Sequence, residues 1–383
     1  MDLIRITHVT HSFLPVTQNW IFNQIRFNDG IRSAVICMTR DNPIQFPHPE
    51  VYPVFKTLNS VNKIKMFFAR LWLWQPYRQY EDLIGKTCPQ IIHGHFSPES
   101  CRILPLIKNT ALPLVTTFYG VDINKLPRRR QWRKRYSHLF SRGNLFIVEG
   151  SHMANALEKT GCPKEKIRVI KIGVDCELID SFSKNRKSDS ESINLLFVGL
   201  EREKKGASDM VKSFVRLAAE YPAISLHLIG EGKYKSKIKE TLQNNGFENR
   251  AIFHGYVGVN RYLELLSESD IVMVPSCTAH DGDTEGGAPV VCIEAQVAQK
   301  PVVGTFHCDI PEIVVHEKTG LLCPEHDIDR LTVNLKLLIE NKKLRKEMGR
   351  NAGIHARRNH DIKKQVKLLN ETYYSLIKNP EKT

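Results

Sequence analysis

Short apolar runs alternate along this chain with longer stretches whose apolar residues recur at helical spacing. In the first half the runs lie at residues 3–6, 33–38, 90–95, 113–118, 145–148 and 167–173. In the second they lie at 193–198, 224–229, 251–254, 271–274, 301–304 and 321–322. Apolar strands separated by helices predict a parallel sheet buried on both faces, so the fold class is α/β. Residues 177–192 turn polar, ending Ser-Phe-Ser-Lys-Asn-Arg-Lys-Ser-Asp-Ser-Glu-Ser, and read as a linker. The expected organisation is an N-terminal Rossmann-like domain at 1–176 and a C-terminal one at 193–357. A helical segment at 358–383 is expected to pack back on the first domain. Two such domains facing each other place the active site in the cleft between them.

Within the first half, the strand at 3–6 is expected to give way to a polar loop at 8–15. A helix at 18–25 follows, with Ile21, Phe22 and Ile25 on one face. A loop after the first strand sits at the carboxyl edge of the sheet, where ligands bind. The strand at 90–95 reaches His93-Gly-His95, and we expect Gly94 to end it, so that one imidazole packs and the other faces a ligand. Were the strand to continue, the two would share a face. As a metal site the pair lacks a third ligand nearby in sequence.

The densest chemistry is at Asp281-Gly-Asp-Thr-Glu-Gly-Gly-Ala-Pro-Val-Val-Cys-Ile-Glu294, between the apolar run 271–274 and a helix expected at 289–298. Gly286 and Gly287 let the backbone approach a ligand, and the first helical N–H groups have no intrahelical partner. That combination suits phosphate. Glu294, farther into the helix, can accept two hydrogen bonds from a vicinal diol such as a ribose. Lys204, Lys205 and Gly206 sit in the first loop of the second half, where the lysines would neutralise a diphosphate. The other reading of these stretches is an ordinary strand–helix connection and a basic surface turn. No G-x-x-x-x-G-K-[ST] occurs, and no G-x-G-x-x-G follows the first strand, so a P-loop is excluded and a nicotinamide site disfavoured.

The chain has 383 residues, 42% apolar and 25% charged, as in a globular protein of two ordinary domains. Nine scattered cysteines with no C-x-x-C pair argue for buried thiols in a reducing compartment, against a disulfide framework or zinc ribbon. Neither a signal-peptide layout nor a membrane-spanning run is present, which points to the cytoplasm. The net charge of +14 favours polyanions. Part of it lies in Arg128, Arg129, Arg130, Arg133, Lys134 and Arg135, with Trp132 and Tyr136 interleaved. That run reads either as a solvated helix face or as a membrane-surface helix with its aromatics at the headgroups. The aromatic stretch 63–80 reads as core or as part of the same membrane face. No nucleic-acid module accompanies the charge, so no nucleic-acid partner is expected.

From Asn194 to about Arg357 the chain resembles the retaining glycosyltransferases of family four, which have the GT-B fold of two Rossmann-like domains facing across a cleft. The resemblance rests on a connected set. It comprises Phe197-Val-Gly199 with Lys205-Gly206, Leu228-Ile-Gly-Glu-Gly232, Phe253-His-Gly255, Asp270-Ile-Val-Met-Val-Pro-Ser276, Glu285 to Glu294, Pro301-Val-Val-Gly304, Pro311-Glu-Ile-Val314 and Thr319-Gly-Leu-Leu322. In the first half, Lys164 to Asp175 is similar to the family's approach to its linker. The Asp281-Gly-Asp-Thr-Glu-Gly form resembles enzymes of exopolysaccharide, lipopolysaccharide and O-antigen synthesis, the colanic-acid type among them.

The resemblance implies a metal-independent retaining hexosyltransferase with no cofactor beyond its nucleotide-diphosphate-sugar donor. Its acceptor would be a glycan or a lipid-linked sugar. The basic aromatic segments of the first half, not the resemblance, motivate a peripheral place on the inner membrane face through the Arg128 run. It implies catalytic roles for Glu285, Lys205 and Arg202. Donor contacts would come from Glu294, Gly286, Gly287, Ala288 and Gly199, with Gly255 and Tyr256 near the base. His95, Tyr119, Asp122, Gln18 and Asn19 would line the acceptor side of the N-terminal domain. Asp281-x-Asp283 looks like a manganese motif, yet its position before Glu285 suggests a loop role. Three positions depart from the family. Eight residues separate Glu285 and Glu294 instead of seven, Leu200 stands where Arg is usual, and Tyr119 stands where His is usual. These departures motivate the alternative of a non-catalytic nucleotide- or polyanion-binding protein with the same frame.

Overall fold

In the computed structural model, residues 3–15, 18–56, 59–72, 74–183 and 192–378 are described. The chain divides into two compact units, residues 1–173 with 362–383, and residues 174–361. Each is a parallel sheet covered by helices.

The first unit's strands are β1 (Ile4–Phe13), β2 (Ile31–Arg40), β3 (Val51–Pro53), β4 (Ile91–His95), β5 (Leu114–Thr117), β6 (Leu145–Val148) and β7 (Ile167–Val169). They lie in the order β3-β2-β1-β4-β5-β6-β7. β1 runs seven residues past the expected end at residue 6, because its polar residues find partners inside the fold. His8 and Thr10 are buried, and the Ser12 hydroxyl bonds Thr39 at 2.9 Å across to β2. The loop expected at 8–15 is thus largely strand. One face of the sheet packs Ile36, Ile92 and Phe118 against Ile103 of the helix Ser97–Ile107 and Leu139 of the helix Arg130–Arg142. The other packs Ile6, Ile91 and Val115 against Leu369, Tyr373 and Leu376 of the helix Ile362–Lys378.

The second unit's strands are β8 (Ile193–Val198), β9 (Ile224–Ile229), β10 (Ala251–Gly255), β11 (Ile271–Val274), β12 (Val302–Thr305) and β13 (Gly320–Cys323). Their order is β10-β9-β8-β11-β12-β13. The direction of strand addition reverses between β8 and β11, so the loops leaving these two strands diverge around a crevice, the usual ligand position in such sheets. Those loops carry Lys204, Lys205 and the glutamate-glycine stretch. Of the expected linker, 177–183 belong to the helix Cys176–Ser183, which packs in this unit against the helices Val259–Glu268 and Val290–Val297. Residues 184–191 lie outside the described ones.

The aromatics of the basic run are not at the surface. Trp132 and Tyr136 are buried, and Trp132 meets Trp72 edge-on at 5.4 Å. The Arg135 guanidinium lies over both indoles, at 4.3 Å from Trp72 and 5.0 Å from Trp132. The headgroup reading of these aromatics is corrected: their apolar area is used in the core, and the exposed residues of the run are Arg128, Arg129, Arg130, Gln131, Arg133 and Lys134. The stretch 63–80 is divided. Trp72, Trp74 and Met66 pack on the core, whereas Ile64, Phe67 and Phe68 of the helix Ser60–Arg70 are exposed. All nine cysteines are free thiols, and all but Cys88 and Cys308 are buried. No helix among the described residues is long and apolar enough to cross a membrane.

Candidate active site

Two glycines shape the loop after β8. Gly206 has φ +72°, and a Cβ there would fall 1.8 Å from the Pro275 carbonyl oxygen. Only glycine lets this turn lie against the loop leaving β11. A Cβ on Gly199 would sit 2.8 Å from Lys205 Cγ, so its absence leaves the path along which the Lys205 stem runs. The Lys204 carbonyl accepts the Cys277 N–H at 2.8 Å, which ties the two loops together.

At their junction lies a buried carboxylate. Glu285 Oε1 accepts from Ser276 Oγ at 2.9 Å and pairs with Lys205 Nζ at 3.0 Å. Glu285 Oε2 lies 3.8 Å from Lys204 Nζ. Burial pushes the Glu285 carboxyl up, but Lys205, then Lys204, outweigh it and hold the group below the usual carboxylate range. Glu285 is therefore ionised at neutral pH. Beside it, Asp283 pairs with Arg202 at 3.2 Å and Lys204 at 3.5 Å. Its N–H donates to Asp281 Oδ1 at 2.9 Å, so Asp281-x-Asp283 forms a turn that presents Asp283 to cations from the other loop. Arg202 thus braces the loop and is mostly exposed, while Leu200 is fully buried and packs in the core.

Gly286 has φ +81°, and Gly286 and Gly287 are both buried; Ala288 is half-buried. The helix begins at Val290, one residue later than expected, with Pro289 before it. Proline there has no N–H to leave unsatisfied, and the first N–H groups of the helix follow it. Glu294 is the fifth helical residue, and its Oε2 accepts from Tyr262 OH at 2.5 Å. Burial and then the Glu294 carboxylate push the Tyr262 phenol well above its ordinary range, so it stays a donor. At the end of β10, the Gly255 carbonyl accepts from Gly230 N–H at 2.9 Å, and the exposed Tyr256 meets Glu201 of the β8 loop. Lys205, Glu285, Glu294, Gly199 and Gly286–Ala288 are thus gathered at the carboxyl edge of one sheet.

Sequence reasoning missed His307 and Glu325. His307, two residues past β12, accepts the Glu285 N–H on Nε2 at 3.1 Å and holds Glu325 Oε1 on Nδ1 at 2.6 Å. Each follows a recognisable strand of the same sheet, which was the available signal.

In the first unit, β4 continues through Gly94, contrary to expectation, because its small size is needed there: a Cβ would meet Ser100 Oγ at 2.0 Å. His93 and His95 therefore share a face and both are fully buried. Parallel pairing of β1 with β4 sets His8 opposite His93 and supplies a third imidazole. Five of the six ring nitrogens are already engaged, however, and the buried His8 Nε2 has no partner among the described residues. His95 bonds His8 at 3.0 Å and Tyr119 OH at 3.1 Å, and His93 bonds Tyr373 OH at 2.6 Å and Thr117 at 2.7 Å. Burial first, and the neighbouring imidazoles second, push all three below the ordinary histidine range, so they are neutral: His8 and His95 share a hydrogen bond, and His93 stacks on His95 at 4.4 Å. Asp122 is also interior, accepting the Ser97 N–H at 2.9 Å and the Tyr119 N–H at 3.4 Å; burial raises its carboxyl to about 7. Gln18 and Asn19 are half-buried where the helix Asn19–Arg26 begins.

Residues 179–354 match the family model of glycosyl transferases group 1, and residues 28–178 that of glycosyltransferase family 4. A Salmonella typhimurium glycosyltransferase named for colanic acid biosynthesis, WcaL, is 27% identical over 74% of this chain and 72% of its own length. The amylovoran biosynthesis glycosyltransferase AmsK of Erwinia amylovora is 30% identical over 60% of this chain; the match spans 55% of AmsK. Among solved structures, Anabaena HepE in complex with UDP and glucose superposes with a TM-score of 0.77 at 18% identity, covering 97% of this chain and all of that one. That likeness is one of fold, and the fold is GT-B.

Proposed function

Because the chain belongs to the glycosyltransferases of these two matched families, we propose that it moves a hexose from a nucleotide-diphosphate sugar to a glycan or lipid-linked acceptor in surface-polysaccharide synthesis. The carrying observation is the edge of the second sheet, where Lys205 and Lys204 pair with Glu285 on the loop that leads into the helix Val290–Val297, whose fifth residue is Glu294. In this reading the diphosphate sits on the lysines and helical amides, and Glu294 holds the ribose hydroxyls. As the bond from the anomeric carbon to the diphosphate oxygen breaks, its electron pair goes to that oxygen. Lysine ammonium groups and fixed amides stabilise the developing charge without reorganising. Glu285 keeps both lysines aimed and faces the donor sugar.

The reaction proposed is retaining and needs no metal. The second point is supported by Asp283, whose carboxylate is already balanced by Arg202 and Lys204. The acceptor is assigned to the N-terminal unit. We place the protein in the cytoplasm, against an anionic membrane face. The support is the exposed Arg128, Arg129 and Arg130, together with Ile64, Phe67 and Phe68 exposed beside Lys63 and Lys65. Sedimentation with anionic vesicles should fall when the three arginines are replaced, and unchanged sedimentation refutes this placement.

The main test is thermal unfolding against UDP-, GDP-, ADP- and TDP-sugars, followed by assay of released nucleoside diphosphate with acceptor present. A donor at 100 times its Kd adds about 2.7 kcal/mol of stability. A shift with turnover supports the reading. A shift with no release under any acceptor leaves the non-catalytic nucleotide-binding alternative.

A further inference from the structure

Glu285 is held at both ends. Its carboxylate lies between Ser276 and Lys205, and its backbone N–H ends on the buried His307 ring. An amide N–H can only donate, so His307 Nε2 carries no proton and accepts. The ring proton is then on Nδ1 and is donated to Glu325. The Glu285 N–H and the Glu325 carboxylate, of opposite character, fix one tautomer, and Cys308 Sγ is a further contact of Nε2 at 3.2 Å. Glu325 uses its other oxygen to accept the Thr278 N–H at 2.7 Å. Burial pushes the Glu325 carboxyl up, but the bonds from His307 and Thr278 outweigh it and hold it below the usual range. One carboxylate therefore fastens the loop 275–289 at two places: at Thr278 directly, and at Glu285 through an imidazole. The loop has no helix or strand of its own, so these fastenings, with the Cys277 N–H on the Lys204 carbonyl and the bonds from Lys204 to the Thr284 carbonyl and from Asp309 N–H to the Gly287 carbonyl, set where its backbone sits.

We infer that His307, oriented by Glu325, is a positioning residue for the donor-sugar step. It sets the backbone at Glu285 and so the approach of the Gly286–Gly287 segment next in the chain. This rests on the sugar-transfer reading above. If the imidazole merely filled volume, its two nitrogens would be interchangeable. As a clamp they are not. In His307→Gln the side-chain oxygen can reach the place of Nε2 and accept the Glu285 N–H. In His307→Asn the shorter amide can donate to Glu325 but falls short of Glu285.

The test uses the full chain with His307→Gln, His307→Asn and the packing-neutral Glu325→Gln. Amide hydrogen exchange of the peptide covering 281–289 reads the clamp without any reaction. Nucleoside-diphosphate release from the donor found above reads its consequence. Exchange should rise in the Asn variant and stay near wild type in the Gln variant, with a smaller rise in Glu325→Gln. Misplacing the loop by an ångström should lower kcat on the order of 10²-fold in the Asn variant. Donor KM should move much less, because Lys205 and Glu294 are untouched, and His307→Gln should recover most of the loss. Equal exchange in the Gln and Asn variants overturns the inference, as does an unchanged Glu325→Gln or a loss carried by KM alone. A wild-type protein that turns over no nucleotide sugar refutes the sugar-transfer reading instead, while the exchange arm still decides the clamp.

Discussion

Replacing Lys205 by Met tests the electrostatic core of the site. The Lys205 ammonium is 3.0 Å from a carboxylate whose side chain is only 6% exposed. At an effective dielectric constant of 20, a contact pair at that distance is worth about 5 kcal/mol before desolvation. Much of this is taken back by dehydrating both ions, and Lys204 remains 3.8 Å from Glu285 in the variant. We therefore expect Lys205→Met to cost about 2 kcal/mol, below the 3–5 kcal/mol typical of leaving a buried charge alone. The pH dependence identifies the cause. The folded-state pKa of Glu285 is depressed, so its contribution is full above the unfolded value, near 4.3, and is lost as pH falls through the lower folded value. The gap between wild type and Lys205→Met should thus be widest near pH 7 and close below about pH 4. Adding Glu285→Gln to Lys205→Met should recover most of the stability, because no buried charge is then unpaired, yet donor affinity should stay weak for want of the ammonium. Chemical denaturation from pH 3 to 8, with donor titration at pH 7, measures both. A stability gap that does not change with pH, or wild-type donor affinity in the double variant, would refute the reasoning.

Other outcomes follow from single contacts. Glu294→Ala should weaken donor binding by about 1–3 kcal/mol, since it removes charge-assisted bonds from the ligand, and should also lower fold stability by about 1–3 kcal/mol, since the buried Tyr262 hydroxyl loses this acceptor; calorimetric titration with the donor and chemical denaturation check the two. Gly206→Ala places a methyl against the Pro275 carbonyl at φ +72°, and should cost more than the 1–2 kcal/mol of a left-handed alanine alone, read as a lowered denaturation midpoint. Burial raises the Asp122 pKa to about 7. An acid raised in the folded state loses stability as pH climbs from its unfolded value, near 3.9, to the folded one. Relative to Asp122→Asn, wild type should therefore lose stability between about pH 4 and 7 and level off above; a flat difference would refute it.

The second unit was the more legible. β11 is an unbroken apolar run, and β8 and β9 are apolar apart from Asn194, Ser225 and His227, so each reads as a buried strand. The residues bounding them are glycines and charges, and the loop positions followed. In the first unit the same logic failed at β1. Its polar residues read as loop, but a strand in the middle of a sheet can bury histidine and threonine when neighbouring strands supply partners, as Ser12 finds in Thr39. Trp132 misled for the opposite reason. An aromatic among arginines can face a membrane or the core, and its partner Trp72 lies far away in sequence. His307 and Glu325 escaped because each is an isolated polar residue after a short strand, and only the sheet brings them together.

The two departures within the donor loop have a common physical account. Leu200 is fully buried, so the position usual for arginine supplies packing instead of charge. The charge enters from Lys204, which reaches Glu285, Asp283 and the Thr284 carbonyl, the last at 2.7 Å. The extra residue between Glu285 and Glu294 lengthens the loop on the side where His307 takes the Glu285 N–H and Asp309 N–H reaches the Gly287 carbonyl at 3.3 Å. A longer loop has more backbone freedom to lose, and these bonds from the β12 side restrain it. Loop length, the second lysine and the histidine clamp are therefore coupled. The effects of deleting one loop residue and of His307→Asn should then not add, a non-additivity that a double-mutant cycle on kcat would measure.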